Sequence, residues 1–330
     1  MKKALFVTDR FEEMYSPELQ RRVEQLVDVI APPQRTDIIQ REPSLLSEVE
    51  IIMSGWGGLR LDRELLDLAP QLEAFFYAGG CTKAIVTSAA DERDLVICSS
   101  IYTNSIPVAE YTFAQIILCL KHAYHATNAY RQDFAKSYSM GGASGACGGK
   151  VGVIGLGRIS RLLIGLLEKI DVQVLAYDPG LDAQAMHLLG AQKVSIEEIF
   201  AECDVVSLHA PEVPETRGMI TGELLKSMKR GASFINTARG SLVREDELVD
   251  VFSERKDLFA VLDVTNPEPP EPENGLWLLP NVLLTPHIAG SHGEERIRVG
   301  QNMVDDLERY LTGDPLKWQV QHPSVSVRSV

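Results

Sequence analysis

An arginine, a carboxylate and a histidine stand just after three short apolar runs in the second half of this 330-residue chain. Arg239 follows the run 233–236, Glu268 follows 259–263, and His287 follows 282–284. The three types suit one kind of chemistry. A planar guanidinium fork can grip a carboxylate or a carbonyl oxygen. An unperturbed imidazole titrates near ~6.5, so it can give or take a proton close to neutral pH. A carboxylate bonded to that imidazole fixes its tautomer and favours its charged form. Each residue also has a plainer role open to it. Arg239 could cap a helix or pair with Glu245. Glu268 lies in a proline-rich loop, where glutamates are mostly just solvated, and a lone histidine is more often structural than chemical.

The elements that would position these residues begin upstream. Residues 151–160, VGVIGLGRIS, read as a buried strand, a glycine turn and the start of a helix. Gly155 permits the tight turn, and Gly157 lets the backbone approach a pyrophosphate. The helix N-terminus then offers unpaired N–H groups and a positive dipole end. Asp178 ends the next apolar run, about where an acidic side chain holds the ribose 2′-OH of NAD. Ser160 takes the place of the third glycine of this fingerprint, and its hydroxyl is expected to shift the helix slightly without removing the site. Behind a dinucleotide turn, the arginine, glutamate and histidine suit hydride transfer at a 2-keto or 2-hydroxy acid, with the proton handled by His287.

A series of βα units runs through this half, with strands expected at 151–154, 172–177, 205–208, 233–236, 259–263 and 282–284. Six strands with intervening helices match a doubly wound dinucleotide fold, in which ligands bind beyond the carboxyl ends of the strands. The first hundred residues alternate likewise. Strands are expected at 4–7, 51–53, 72–77 and 96–98, and helices at 17–29 and 62–68. A long apolar helix is expected over 108–120, after Pro107, and a small-residue loop over 139–149 leads into the second series. A last helix over 296–311 is expected to return to the first domain. The class is α/β, with two Rossmann-like domains. Residues 106–295 are expected to form the doubly wound NAD-binding domain and residues 1–105 plus 296–330 a second, flavodoxin-like domain, whose substrate (lid) role is what the family resemblance below implies.

Composition narrows the partners. The formal net charge of −14 argues against nucleic acid or an anionic membrane surface, because no broad basic face is expected. No apolar stretch reaches membrane-spanning length, and the opening run 4–7 is too short for a signal peptide. Five scattered cysteines show neither a disulfide framework nor zinc spacing, which points to a cytoplasmic chain with reduced thiols and no metal.

With these motifs in order, the chain resembles the D-isomer-specific 2-hydroxyacid dehydrogenase family. The matching segments are 151–160, 208–211 through 216–218, 236–240, 262–269 and 284–290. The resemblance implies Arg239, Glu268 and His287 as the catalytic set. It implies that Gly155, Gly157, Arg158 and Ile159 cover the pyrophosphate, that Asp178 holds the ribose, and that Pro211 flanks the adenine side. Thr216 belongs to the same matching stretch, and Thr237 and Asp263 would hold the nicotinamide end. Gly79 and Gly80, in the loop 77–82, would bind the substrate carboxylate together with Arg239, although Thr82 replaces an aspartate common in that loop. Asn104, Trp56 and Arg60 are weaker candidates for the substrate pocket. The resemblance also implies a homodimer built on the cofactor domain. A non-enzymatic NAD-sensing regulator on the same scaffold stays open as the alternative. Formate-oxidising relatives carry glutamine where this chain has Glu268, which weighs against formate.

Overall fold

The computed structural model describes residues 1–132 and 145–320. Of the small-residue loop 139–149, residues 139–144 lie outside the described residues. Two compact units share the described residues: Met1–Ser105 with 291–320, and Ile106–Gly290.

The first unit is built on a parallel sheet of β1 (Lys3–Val7), β2 (Asp28–Val29), β3 (Ile51–Gly55), β4 (Ala74–Ala78) and β5 (Val96–Ser99), ordered β2-β1-β3-β4-β5. Its inner strands are buried on both faces. Leu5 and Val7 of β1 join one apolar cluster, and Ala4 and Phe6 the other. That is why these segments read as continuous apolar runs rather than alternating ones. The helix expected over 17–29 stops at Leu26. Val27 turns extended there, and Asp28–Val29 pairs beside β1. Two residues are too few to show a strand period, so the sequence pattern merges β2 with the helix before it. The helix Glu294–Thr312 buries Val299, Met303, Val304 and Leu307 against this sheet.

The second unit holds β6 (Gly149–Ile154), β7 (Val172–Tyr177), β8 (Gln192–Lys193), β9 (Val205–Leu208), β10 (Ser233–Asn236), β11 (Phe259–Leu262) and β12 (Val282–Leu284). They form one parallel sheet in the order β12-β11-β10-β9-β6-β7-β8. The short edge strand β8 is additional to the six expected, and both its residues are exposed. The helix expected to open after Pro107 instead runs Ile101–Leu120 with Pro107 inside it. Proline removes one backbone N–H bond, and here the loss falls in the second turn. The long apolar stretch beyond it, with Ala109, Ile116, Cys119 and Leu120 buried in the sheet-facing cluster, keeps the helix going. Among the described residues no helix is long and apolar enough to cross a membrane.

Register does most of the positioning. Tyr177 pairs with Ile154, Ile154 with Leu208, Leu208 with Asn236, Asn236 with Leu262, and Leu262 with Leu284. Six strands therefore end in one row. The next residues, Asp178, Gly155, His209, Thr237, Asp263 and Thr285, leave the sheet side by side along its carboxyl edge.

Candidate active site

At the switch point between β6 and β9 the chain turns at Gly155, with φ of 86°. A Cβ there would lie 2.6 Å from the Ala210 Cα, so only glycine lets the two strand ends approach this closely. Gly157 precedes the helix Arg158–Leu167, whose first two residues are Arg158 and Ile159. The amides of a first helical turn have no partner within the helix. Ser160 is fully buried, and its hydroxyl donates to the Gly155 carbonyl. The side chain that replaces the third glycine is thus bonded to the turn itself. Asp178 accepts the Leu156 amide at 2.7 Å and the Gly180 amide at 2.8 Å, which fixes its carboxylate beside the glycine turn. A glycine cradle, a helix N-terminus and an acid at the neighbouring strand end form the donor and acceptor set that a dinucleotide requires.

His209 follows β9, and its role was not read from the sequence. Its Nε2 bonds the Ser207 hydroxyl at 2.8 Å, while its buried Nδ1 has no partner among the described residues. Burial pushes its imidazole down to about 4, so it is neutral near physiological pH. Pro211 and Thr216 belong to one self-bonded loop. The Thr216 hydroxyl donates to the Pro211 carbonyl at 2.6 Å and accepts the Val213 amide at 3.0 Å.

Beyond β10, buried Asn236 shapes the loop that carries Arg239. Its amide nitrogen donates to the Arg239 carbonyl at 2.9 Å, and its carbonyl accepts the Ala238 amide at 3.0 Å. Gly240 follows, where a Cβ would collide with the backbone of Thr265 and Asn266. The Arg239 side chain is exposed and donates to the Ala238 carbonyl at 2.6 Å. Glu245, the plain partner considered for Arg239, is engaged elsewhere. It accepts the Asn266 amide at 3.0 Å and the Asn274 side chain at 2.6 Å, and so pins the loop that bears Glu268.

The structure brings Glu268 and His287 together, with Oε1 2.6 Å from Nδ1 and both side chains about half exposed. Among the described residues, Nε2 of His287 has no hydrogen-bond partner. His287 adopts a left-handed backbone, φ 54°, which is uncommon for a residue other than glycine. Asp263 holds it there. The Asp263 carbonyl accepts the His287 amide at 2.9 Å. Its buried carboxylate accepts the Thr285 hydroxyl at 2.6 Å and the Ile288 and Ala289 amides at 2.8 Å each. Thr237, one strand over, lies 3.2 Å from the Thr112 hydroxyl.

The first unit contributes a different kind of strand end. After β4, the Gly79 amide bonds back to the Tyr77 carbonyl at 2.8 Å. The Ser99 hydroxyl holds the Gly80 carbonyl at 2.9 Å. The next amides, of Gly80, Cys81 and Thr82, donate no hydrogen bond among the described residues. Asn104 lies against Gly80 and accepts both the amide and the hydroxyl of Ser291. Trp56 stacks against the Arg296 guanidinium at 5.8 Å, and Arg60 is exposed.

This fold and this row of strand ends define a dinucleotide-binding α/β protein with an imidazole–carboxylate pair on the same carboxyl edge as the cofactor turn. Residues 113–289 match the D-isomer specific 2-hydroxyacid dehydrogenase NAD binding domain, and the chain belongs to that family, with NAD as its cofactor. It is 31% identical over 266 residues to the D-3-phosphoglycerate dehydrogenase of Archaeoglobus fulgidus, covering 81% of this chain and 50% of that protein. The chain spans about half the length of the curated relatives it matches first. Among solved structures, the TT0316 protein of Thermus thermophilus superposes with a TM-score of 0.76 at 27% identity, covering 97% of this chain and all of that one. The apo D-mandelate dehydrogenase of Rhodotorula graminis shares the fold, with a TM-score of 0.79 at 23% identity and 97% coverage of each chain.

Proposed function

We propose that this chain is an NAD-dependent D-2-hydroxyacid dehydrogenase that interconverts a small 2-keto acid and the D-2-hydroxy acid. The observation that carries the proposal is the Glu268–His287 pair at the end of β12, in the same strand-end row as the glycine turn and Asp178. When bound, NAD supplies the hydride acceptor or donor. The residues do the rest. In the direction of reduction, Nε2 of His287 gives its proton to the keto oxygen while the carbonyl carbon gains the hydride, so the product is the hydroxy acid. Glu268 on Nδ1 keeps the proton-bearing ring oriented and supports the imidazolium form. Arg239 polarises the carbonyl or holds the carboxylate.

In the cofactor unit, Gly155, Gly157, Arg158 and Ile159 line the pyrophosphate, Asp178 the ribose, Pro211 and Thr216 the adenine side, and Thr237 and Asp263 the nicotinamide. In the first unit, the open amides after Gly79 and Gly80 form an anion nest for the substrate carboxylate. Residues 106–295 act as the cofactor domain, and residues 1–105 with 296–330 as the substrate domain. The substrate is of the glyoxylate, hydroxypyruvate or phosphoglycerate kind. The chain works as a homodimer in the cytoplasm, where its thiols stay reduced.

The test is to mix the purified protein with NADH and glyoxylate, hydroxypyruvate, pyruvate or phosphohydroxypyruvate, and to follow nicotinamide absorbance. Oxidation with one of these acids is expected, and slower with NADPH. Tight NADH binding without turnover of any acid would replace the proposal by the NAD-sensing role.

A further inference from the structure

The helix Ile101–Leu120 reaches the His287 turn through side chains that the reaction itself does not use. Tyr111 places its hydroxyl 3.1 Å from the Thr285 hydroxyl, and Thr285 lies 2.6 Å from the Asp263 carboxylate. The direction of these bonds follows from the chemistry of the groups. A carboxylate only accepts, so the single hydroxyl proton of Thr285 goes to Asp263. Thr285 therefore has no proton left for Tyr111, and Tyr111 must donate to Thr285. The phenol end is half-buried, and burial raises the Tyr111 pKa, which keeps the donor protonated.

The next residue repeats the device at the neighbouring strand end. Thr112 gives its proton to the Val108 carbonyl at 2.8 Å, so the Thr237 hydroxyl must donate to Thr112. One turn further on, Gln115 accepts the Tyr124 hydroxyl. Tyr124 in turn stacks on Phe259 of β11, ring centroids 4.8 Å apart. A polar line thus runs from Tyr111 through Thr285 into Asp263. Asp263 is the group whose carboxylate and carbonyl hold the backbone of residues 287–289.

We infer that Tyr111 is a positioning residue for His287, acting through the one-way bonds Tyr111 to Thr285 to Asp263. The inference rests on the functional reading above, in which His287 transfers the proton. Its physical content is orientation. Asp263 has three donors on its carboxylate and is almost fully buried. Thr285 is the only one of the three that is a rotor rather than a backbone amide. Without the Tyr111 proton, the Thr285 oxygen is left with no donor, its rotor is freer, and the clamp on a left-handed His287 loosens. A small misplacement of an acid–base group lowers turnover far more than cofactor binding.

The test compares Tyr111→Phe, Thr285→Val and the double variant, with Thr285→Ser as the form that keeps the hydroxyl. Tyr111→Phe is expected to lower kcat about 3- to 10-fold with NADH affinity within about 2-fold. In the Thr285→Val background, Tyr111→Phe is expected to add nothing, because its route to Asp263 is already cut. Thr285→Ser is expected to keep most of the activity. A kcat unchanged in Tyr111→Phe, or two effects that multiply in the double variant, overturns the inference. A second arm records the His287 imidazole resonances by NMR in the unliganded wild type and in Tyr111→Phe, and a displaced His287 signal is expected. If the wild type turns over no 2-keto acid, the functional reading fails by itself. The NMR arm then decides, and unchanged His287 resonances in Tyr111→Phe overturn the positioning role.

Discussion

The two units end their parallel strands in opposite ways. Along the cofactor sheet, nearly every polar group at the carboxyl edge is already bonded to another part of the same edge. Asp178 holds the glycine turn, Asn236 shapes the Arg239 loop, and Asp263 clamps the His287 turn. In the first unit, the loop after β4 is glycine-rich, and three successive amides donate nothing among the described residues. The contrast teaches where rigidity is needed. On the proposed reading, the cofactor and the proton-transfer pair demand fixed geometry, so their supports are built in advance. The proposed site for a small acid can leave its donors open, because the anion itself would satisfy them on binding.

The contrast is most directly broken at His287. His287→Ala is expected to lower kcat by about 10²- to 10⁴-fold with NADH affinity nearly unchanged, since only the proton step loses its donor. Steady-state rates alongside a fluorescence titration of NADH check this, and a kcat like that of wild type removes His287 from the mechanism. Next in size is Gly240→Ala, where the new methyl meets the backbone of Thr265. The backbone cannot move aside as a side chain would, so a loss on the order of 3 kcal/mol is expected in denaturant unfolding. A midpoint equal to that of wild type would show the edge to be softer than its hydrogen bonds imply.

A third prediction concerns pH. The His209 imidazole is held down at about 4 by burial, below the ~6.5 of an unfolded chain. Between those values the unfolded state binds the extra proton, so this contribution to stability is lost as pH falls through that window. By pH 5 the loss is on the order of 2 kcal/mol, and His209→Gln should remove that part of the pH dependence. Parallel slopes of stability against pH in the two proteins would refute it.

Asp178 sets a smaller effect. Asp178→Ala is expected to reduce the kcat/KM preference for NADH over NADPH by about tenfold, because the carboxylate no longer repels a 2′-phosphate. An unchanged ratio would assign selectivity elsewhere. The mildest change in stability is expected in the open unit. At Gly80 a methyl would stand 3.1 Å from the Asn104 side-chain nitrogen, which can give way. Gly80→Ala should therefore cost less than about 1 kcal/mol while raising KM for the keto acid. A large loss of stability there, matching Gly240→Ala, would erase the difference between the units.

Much of this was legible in the chain. Residues 151–160 and Asp178 announced the cofactor turn because strand, glycine and helix signals are local. The pairing of Glu268 with His287 was open to reading because parallel strands end in register, so the loops after β11 and β12 leave the sheet on one edge. Less was legible where a feature is short or depends on distant packing. The two-residue strands β2 and β8 show no period. The helix Ile101–Leu120 begins ahead of Pro107, a local stop signal that the buried length beyond it overrides.

Local pattern along the chain sets the order of βα units, the dinucleotide fingerprint and the chemical groups that the strands deliver. How those groups are held depends on packing between distant elements. Ser160 turns inward to bond the Gly155 carbonyl, Glu245 pins the Glu268 loop instead of pairing with Arg239, and Tyr111 bonds Thr285 from 174 residues away. The difference is one of range. Periodicity and turn chemistry act over a few residues, whereas the partner of a buried hydroxyl or carboxylate is chosen by whichever element packs against it.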